Sequence, residues 1–594
     1  MPANQFIREQ DAMQQIVRVD MRSGNVSGLD LPSQYRDYGG RALTARILSE
    51  EVPPNSHSLG KNNKCVIATG LFAGTSFPCS GRCSIGAKSP LTGGIKESNV
   101  GGTVAFKLSK LNIRSVVIED QPAEEHGLYI LKLDVTGGCL IPADEYRGYK
   151  TYQLASEIRQ RFGKKIGLLM IGPAGELQLS AAGIAATDLR GNPCDYAGRG
   201  GMGAVLGSKH VKAIIIDDQG VKSAPEYFDR EKFISISRAF TKKLKETKID
   251  LHEYGTPIEI EMSSELGYLP TRNYSAGRFE GAEKIGGQTM RKRSVEREGP
   301  DGQACMPGCP ITCKHTYVDP KSQYITSSLE YETIALLGSN CGIDDLDAIA
   351  KMDRLCDEIG VDTMEMGAAI GVAMEAGLLT FGDAQGANAL LKEIPKNTPM
   401  GRIIGNGAEI TGKVFGVKRV PVVKGQGMAA YDPRSNKGIG VTYMSSPMGA
   451  DHTAGCVMPG RTGFDPSKTY DPLKPDGQPE VSLDLQIMVA IIDAMGVCFF
   501  VGLEIETLNI LAEALNARYD RNLTLIDMVE LGKDILENEH RFNQAAGKLM
   551  VEQLPEFLET EPLSPHETVY DVDRGAIEAE LDNRLKLQVT KEIP

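Results

Sequence analysis

The sequence predicts an α+β protein of several domains, β-rich at first and helical after. Three observations carry this. The chain has 594 residues, and single cores stop growing near about 250–300 residues, so more than one is required. Short apolar runs at 64–69, 115–119, 129–133 and 213–217 are strand-like and sit among dense glycines. From about residue 225 onward the apolar residues recur instead at helical spacing.

The elements follow in order. Residues 15–21 alternate apolar and polar and end in a Ser-Gly-Asn turn, a hairpin signal. Residues 38–52 read as a helix entered through Gly39 and Gly40. Gly70, Gly74, Gly81, Gly86, Gly93, Gly94, Gly101 and Gly102 mark tight turns or backbone lying against a ligand. Helices are expected at 226–247, 345–359, 364–379, 384–393 and 400–415, and later at 506–518, 523–541 and 575–585. Residues 299–320, rich in Pro, Gly and Cys, are a loop, and 425–460 is a second glycine-rich stretch. The acidic segment 556–567 reads as a solvated loop, and no internal repeat is visible. Residues 485–505 are largely apolar, but Asp493 near the middle is costly in lipid, so a buried helix with a functional break is the better reading.

Composition excludes some functions. With 41% hydrophobic and 24% charged residues the chain has the balance of a folded protein. A net charge of −13 speaks against nucleic acid or an anionic membrane as partner. The opening MPANQFIREQDAMQQ has no apolar core of a secretory signal, so a reducing, cytoplasmic setting is expected and the twelve cysteines are thiols or cluster ligands.

Cys305, Cys309 and Cys313 lie in CMPGCPITC, where Pro307, Gly308 and Pro310 forbid a regular helix. A loop wrapped around an iron–sulfur cluster suits them, with a fourth thiolate from elsewhere. Three buried thiols, or a zinc site using His315, are the alternatives. Two distant segments echo each other: Asp357, Gly360, Val361, Asp362 as D-x-x-G-V-D, and Asp493, Gly496, Val497, Cys498 as D-x-x-G-V-C. A matched pair suits a ligand present in two copies, and Cys498 offers the missing thiolate. G-x-G-x-x-G at Gly198, Gly200 and Gly203 is set aside as a dinucleotide motif, because a polar stretch precedes it.

These segments resemble the tungsten-containing aldehyde:ferredoxin oxidoreductase family, over nearly the whole chain from Tyr38-Gly-Gly-Arg-Ala-Leu onward. The resemblance implies an N-terminal mostly-β saddle domain (1–212) and two mainly helical domains (213–420 and 421–594) enclosing a bis-pterin metal site. It implies tungsten or molybdenum held by two pterins, Mg2+ bridging the pterin phosphates, and a [4Fe–4S] cluster on Cys305, Cys309, Cys313 and Cys498. The paired D-x-x-G elements would grip the pterins. Ser80-Gly-Arg82, the segment 88–94 and Ser98-Asn-Val-Gly-Gly102 resemble the pterin-contact region. Arg82 would lie between pterin and cluster and Asn99 near the pterin phosphates, with Gly101 among the cofactor-binding residues. Ala197-Gly-Arg-Gly-Gly-Met-Gly-Ala204 resembles another phosphate-side signature, bringing Arg199 and Gly200 to the cofactor. Glu332 and His452 match the family's general base and carbonyl donor.

The implied reaction oxidises an aldehyde to a carboxylate and passes electrons to ferredoxin or a similar carrier. Rival readings are a low-potential reductase of acyl-CoA or aromatic acyl-CoA in a multi-subunit complex, a non-catalytic iron–sulfur subunit, and a zinc-stabilised binding protein. Four features depart from the family. The first cysteine gap is three residues, where two is usual. Lys351-Met-Asp-Arg354 replaces the Glu-x-x-His of iron-bridged dimers, so any homodimer would lack a bridging metal. The lone Glu-x-x-His, Glu537 to His540, reads as a solvated helix face. Thr453 and Ala454 follow His452 where a basic residue is expected. Tryptophan is absent, so an aromatic lining must come from Phe or Tyr.

Overall fold

Twelve strands fall into two six-stranded mixed sheets, and the two sheets have the same topology. The computed structural model describes residues 14–123, 127–221, 225–327, 329–585 and 587. Most of the opening stretch read for a secretory signal lies outside the described residues. The first sheet holds β1 (Gln15–Asp20), β2 (Asn25–Asp30), β3 (Cys65–Thr69), β4 (Cys83–Lys88), β5 (Ile95–Val100) and β6 (Ile113–Glu119), in the order β2-β1-β6-β3-β4-β5. The second holds β7 (Tyr129–Asp134), β8 (Gly137–Pro142), β9 (Gly167–Met170), β10 (Ile184–Ala186), β11 (Asp195–Ala197) and β12 (Val211–Ile216), in the order β8-β7-β12-β9-β10-β11. Each has one parallel pair, β1 with β6 and β7 with β12, and is otherwise antiparallel.

The helices repeat as well. Gly40–Glu51 and Thr151–Phe162 precede the third strand of each half, and Val104–Lys110 and Met202–Ser208 precede the sixth. The chain therefore contains a structural duplication that the sequence reading missed. It is carried by backbone topology and by one diverged run of side chains, Gly101-Gly102, Ser109-Lys110 and Val116-Val117-Ile118-Glu119-Asp120 in the first half against Gly200-Gly201, Ser208-Lys209 and Ile214-Ile215-Ile216-Asp217-Asp218 in the second.

Strand alternation explains the layering. Cys65 and Ile67 of β3, Leu131 and Leu133 of β7, and Ile214 and Ile216 of β12 point into one core shared by the two sheets. Helices Val104–Lys110 and Met202–Ser208 fill that core. The opposite faces of the sheets are covered by Gly40–Glu51 (Val66, Ala68 and Leu43 pack there) and by Thr151–Phe162 (Ile130, Ala213 and Leu154). Gly86 allows the close approach of the first of these helices, since a Cβ there would lie 2.7 Å from Thr44 Cβ.

The hairpin β1–β2 forms as its sequence predicts, with Asp20 accepting the Arg22 N–H at 2.9 Å and Gly24 at φ 73°. The glycine-dense segment is more ordered than expected: β4 and β5 run through it, joined by a turn in which Ser89 Oγ accepts the N–H groups of Leu91 and Thr92.

The remainder is mainly helical and shares one continuous core, reaching from Phe233 to Leu585. The expected helix 400–415 is two, Pro399–Gly405 and Ala408–Phe415, broken at Asn406 and Gly407. The acidic segment is not a free loop. Glu556–Thr560 is helical, and Phe557, Leu558 and Leu563 are buried. His540 is likewise fully buried on helix Leu525–Ala545, beside the buried Glu539, so the Glu-x-x-His is not a solvated face. The apolar segment around Asp493 is the buried helix Gln478–Met495, which breaks at Gly496. Among the described residues no helix is long and apolar enough to cross a membrane.

Candidate active site

The two D-x-x-G elements dock in the same way, one on each half of the duplication. Helix Leu346–Ile359 ends at Gly360 (φ 82°) and helix Gln478–Met495 ends at Gly496 (φ 68°), both left-handed, where glycine is favoured. Gly360 stacks on Gly172 just beyond β9, and Gly496 on Gly70 just beyond β3. A Cβ on Gly172 would lie 2.1 Å from Ile359 O, and one on Gly70 would lie 2.2 Å from Gly496 Cα. The Gly360 carbonyl accepts the Gly183 N–H at 3.0 Å, and the Gly496 carbonyl accepts the Arg82 N–H at 3.1 Å. The last residue of each motif donates back: Asp362 to Ala181 O and Cys498 to Cys79 O, each at 2.9 Å.

Between these contacts lies a cavity of about 650 Å³. Arg82, Gly101, Cys305, Cys313, Glu332, Asp357, Val361, Asp362, His452 and Cys498 line it, so residues spread over more than 400 positions of sequence face one space. Asn99, Arg199, Gly200, Gly360, Cys309, Asp493, Gly496 and Val497 are not among its lining residues.

Several of those eight stand behind the wall. Arg82 donates through Nε to Asn99 Oδ1 and through Nη2 to Asn99 O, the latter at 3.0 Å. Arg199 donates to Asp362 Oδ2 (3.1 Å), Ala450 O (2.7 Å) and Gly427 O (2.5 Å), tying the first motif to the loop that carries His452. Asp493 instead meets Arg41 Nη1 at 3.4 Å, and burial pushes its carboxyl well up.

Cys305, Cys313 and Cys498 line the cavity, and Cys309 lies behind its wall. Cys305 O accepts the Gly102 N–H at 3.0 Å, and Gly101 leaves room for Cys305, whose Sγ would be 3.5 Å from a Cβ there. Cys309 Sγ is 3.7 Å from the Sγ of Cys79, a residue sequence reasoning did not single out. The Cys79 hydrogen bond and the N–H groups of Thr312 and Ile311 pull the Cys309 thiol down to about 6. Burial pushes Cys305, Cys313 and Cys498 up, and the Arg82 guanidinium opposes this at Cys305 and Cys498. His315, the nitrogen ligand a zinc site would need, is engaged with His252 O at 3.1 Å. Among the described residues no three His, Cys, Asp or Glu groups converge as they would on a single metal ion.

Glu332 sits in the first turn of helix Tyr331–Leu337, and His452 in a short turn after Asp451. His452 Nε2 is 3.3 Å from Glu332 Oε1. Glu332 Oε2 accepts the Ala430 N–H at 2.8 Å, while Oε1 and His452 Nδ1 are buried without a hydrogen-bond partner. Burial raises the Glu332 carboxyl, and the nearby His452 and Arg199 oppose the rise. Lys96 and Arg199 hold neighbouring Asp451 ionised. Tyr331, Tyr431, Phe499 and Phe500 supply the aromatic lining. The Tyr431 ring lies 5.7 Å from His452. No spacing signal in the sequence marks these rings.

Where a metal-bridged dimer would carry Glu-x-x-His, Arg354 donates to Glu358 Oε1 at 3.0 Å and stacks 3.3 Å from the Tyr152 ring centre. The short strand β11 and helix Met202–Ser208 do flank the G-x-G-x-x-G, contrary to the sequence reading, but β10 and β11 pair antiparallel and form no dinucleotide-type parallel unit.

Family models described as aldehyde ferredoxin oxidoreductase match almost the whole chain: the N-terminal domain over residues 16–218, and domains 2 and 3 over residues 235–583. The tungsten-containing aldehyde ferredoxin oxidoreductase of Pyrococcus abyssi is 30% identical over 576 residues, covering 92% of this chain and 91% of the relative. That of Pyrococcus furiosus is 29% identical, covering 89% and 88%. An aliphatic sulfonate oxidoreductase, WOR-like subunit, of Pyrococcus furiosus is 28% identical over 77% of both chains. In fold the chain is similar to the active site complex BamBC of benzoyl coenzyme A reductase, solved with 1,5-dienoyl-CoA. The TM-score is 0.78 at 16% identity, with 96% of this chain and 94% of that one covered. The chain belongs to the aldehyde ferredoxin oxidoreductase family.

Proposed function

We propose that this oxidoreductase is a tungsten–pterin and [4Fe–4S] enzyme that oxidises an aldehyde to a carboxylate and passes the electrons to ferredoxin or a similar carrier. The observation that carries the reading is the Glu332–His452 pair, 3.3 Å apart, facing a cavity shared with Arg82 and with Cys305, Cys313 and Cys498. Cys305, Cys309, Cys313 and Cys498 would hold the cluster. Cys305, Cys313 and Cys498 line the same cavity, and thiolates at short spacings beside a proline support a cluster there. The paired D-x-x-G elements and Arg82, Asn99, Gly101, Arg199 and Gly200 would hold two pterins, with Mg2+ on their phosphates and tungsten or molybdenum between them. The twofold docking of those elements on duplicated halves supports a ligand present in two copies.

When bound, the metal–pterin group supplies two-electron oxidation and the cluster single-electron transfer. The protein's own residues do the rest. Tyr331, Tyr431, Phe499 and Phe500 orient the substrate. His452 donates through Nε2 to the carbonyl oxygen, and Glu332 Oε1, free of other hydrogen bonds, takes a proton from the water whose oxygen enters the carboxylate. Arg82 faces the same cavity as Cys305 and Cys498, where its cation would steady negative charge arriving by electron transfer.

The test is anaerobic assay of purified protein with a panel of aldehydes and a viologen dye. Dye reduction with stoichiometric carboxylate is expected. Failure with every aldehyde, together with reduction of an acyl-CoA by reduced dye, would transfer the site to the reductase reading.

A further inference from the structure

We propose that Cys79 is a fifth thiol of the cluster region, a positioning residue whose S–H donates a hydrogen bond to the sulfur of Cys309 and thereby sets the reduction potential of the cluster. This rests on the assignment of the [4Fe–4S] cluster to Cys305, Cys309, Cys313 and Cys498. Three observations place Cys79 in this role. Its Sγ is 3.7 Å from that of Cys309. Its backbone is clasped by both ligand segments: the N–H donates to Gly308 O at 3.3 Å, and the carbonyl accepts the Cys498 N–H at 2.9 Å. It is fully buried and held at φ 57°, a left-handed conformation uncommon outside glycine, so the direction of its side chain is fixed.

The duplicated fold supplies a control inside the same chain. In the second half, Ala181 accepts the Asp362 N–H at 2.9 Å, as Cys79 accepts that of Cys498. An alanine therefore accepts the same backbone hydrogen bond at the corresponding place, though without the left-handed φ of Cys79, and the thiol is not needed to build that contact. What distinguishes the first half is the group of cysteines beside it. A reduced cluster carries one more negative charge than an oxidised one. A hydrogen bond donated to a ligand sulfur stabilises the reduced form more, and so raises the potential. With the S–H directed at Cys309, Cys79 serves as donor and the Cys309 sulfur as acceptor.

The experiment uses the full-length protein purified without oxygen, in three forms: wild type, Cys79→Ala and Cys79→Ser. Iron per chain is counted, and the midpoint potential is read by redox titration followed by electron paramagnetic resonance. All three should hold the same iron. The Cys79→Ala potential should move to more negative values, and Cys79→Ser, whose hydroxyl also donates, should return toward wild type. An unchanged potential in iron-loaded Cys79→Ala would overturn the proposal alone. Iron lost from Cys79→Ala would make Cys79 a ligand, and would overturn it too. A wild-type protein without iron would remove the cluster assignment, and this proposal with it.

Discussion

Glu332→Gln is expected to lower turnover by about 10²–10⁴-fold, the range a positioned general base contributes, while tungsten and iron content stay unchanged. The glutamine keeps the side-chain oxygen that accepts the Ala430 N–H, so the helix entry and the loop beside His452 should hold. What it loses is the proton acceptor at Oε1, the atom that faces His452 Nε2 and has no hydrogen bond of its own. Burial raises the Glu332 carboxyl above the ordinary carboxylate range. A base works only when ionised. Wild-type kcat should therefore fall as pH drops through that raised value, and this acid limb should vanish in the variant. Loss of tungsten from Glu332→Gln would instead assign the carboxylate to holding the cofactor site together.

The largest effect on stability is expected at Arg41. This guanidinium is 1% exposed and binds Glu539 through Nε at 2.9 Å and Nη2 at 2.7 Å, with Asp493 at 3.4 Å. It joins helix Gly40–Glu51 of the duplicated domain to Leu525–Ala545 and to the end of Gln478–Met495. Arg41→Met leaves a buried carboxylate uncompensated beside Asp493, and the nearby Glu97 adds to the repulsion. Breaking a buried pair from one side costs about 3–5 kcal/mol, to be read as a lowered midpoint of chemical unfolding. Arg41→Met combined with Glu539→Met removes both charges and should recover much of the loss. A stable single variant would show that water or a proton neutralises Glu539 without Arg41.

Much of the site was legible in the sequence because its signals are local. The triplet Cys305, Cys309, Cys313 is broken by prolines, and the glycines of the D-x-x-G elements end helices where a left-handed residue is needed. The change from short apolar runs to helical spacing near residue 225 separates the two sheets from the helical region. Other features were hidden because nothing local encodes them. The duplicated sheets share a strand order, and the one run that repeats, Gly101 to Asp120 against Gly200 to Asp218, has diverged and shifts by a residue midway, so it does not stand out. Cys79 lies 226 positions from Cys305 along the chain and meets Cys309 only through the fold. Charge misled at two places. Acidic neighbours masked the buried Phe557 and Leu558, and Glu537 and Arg541 masked the buried Glu539 and His540. The first was read as a solvated loop and the second as a solvated helix face, although each turns buried residues inward.

If one chain encloses a tungsten–pterin group and an iron–sulfur cluster, elemental mass spectrometry of protein purified without oxygen will find both, counting iron, zinc, tungsten and molybdenum per chain. About four irons with one tungsten or molybdenum are expected. Zinc alone, or iron with neither tungsten nor molybdenum, would contradict the claim.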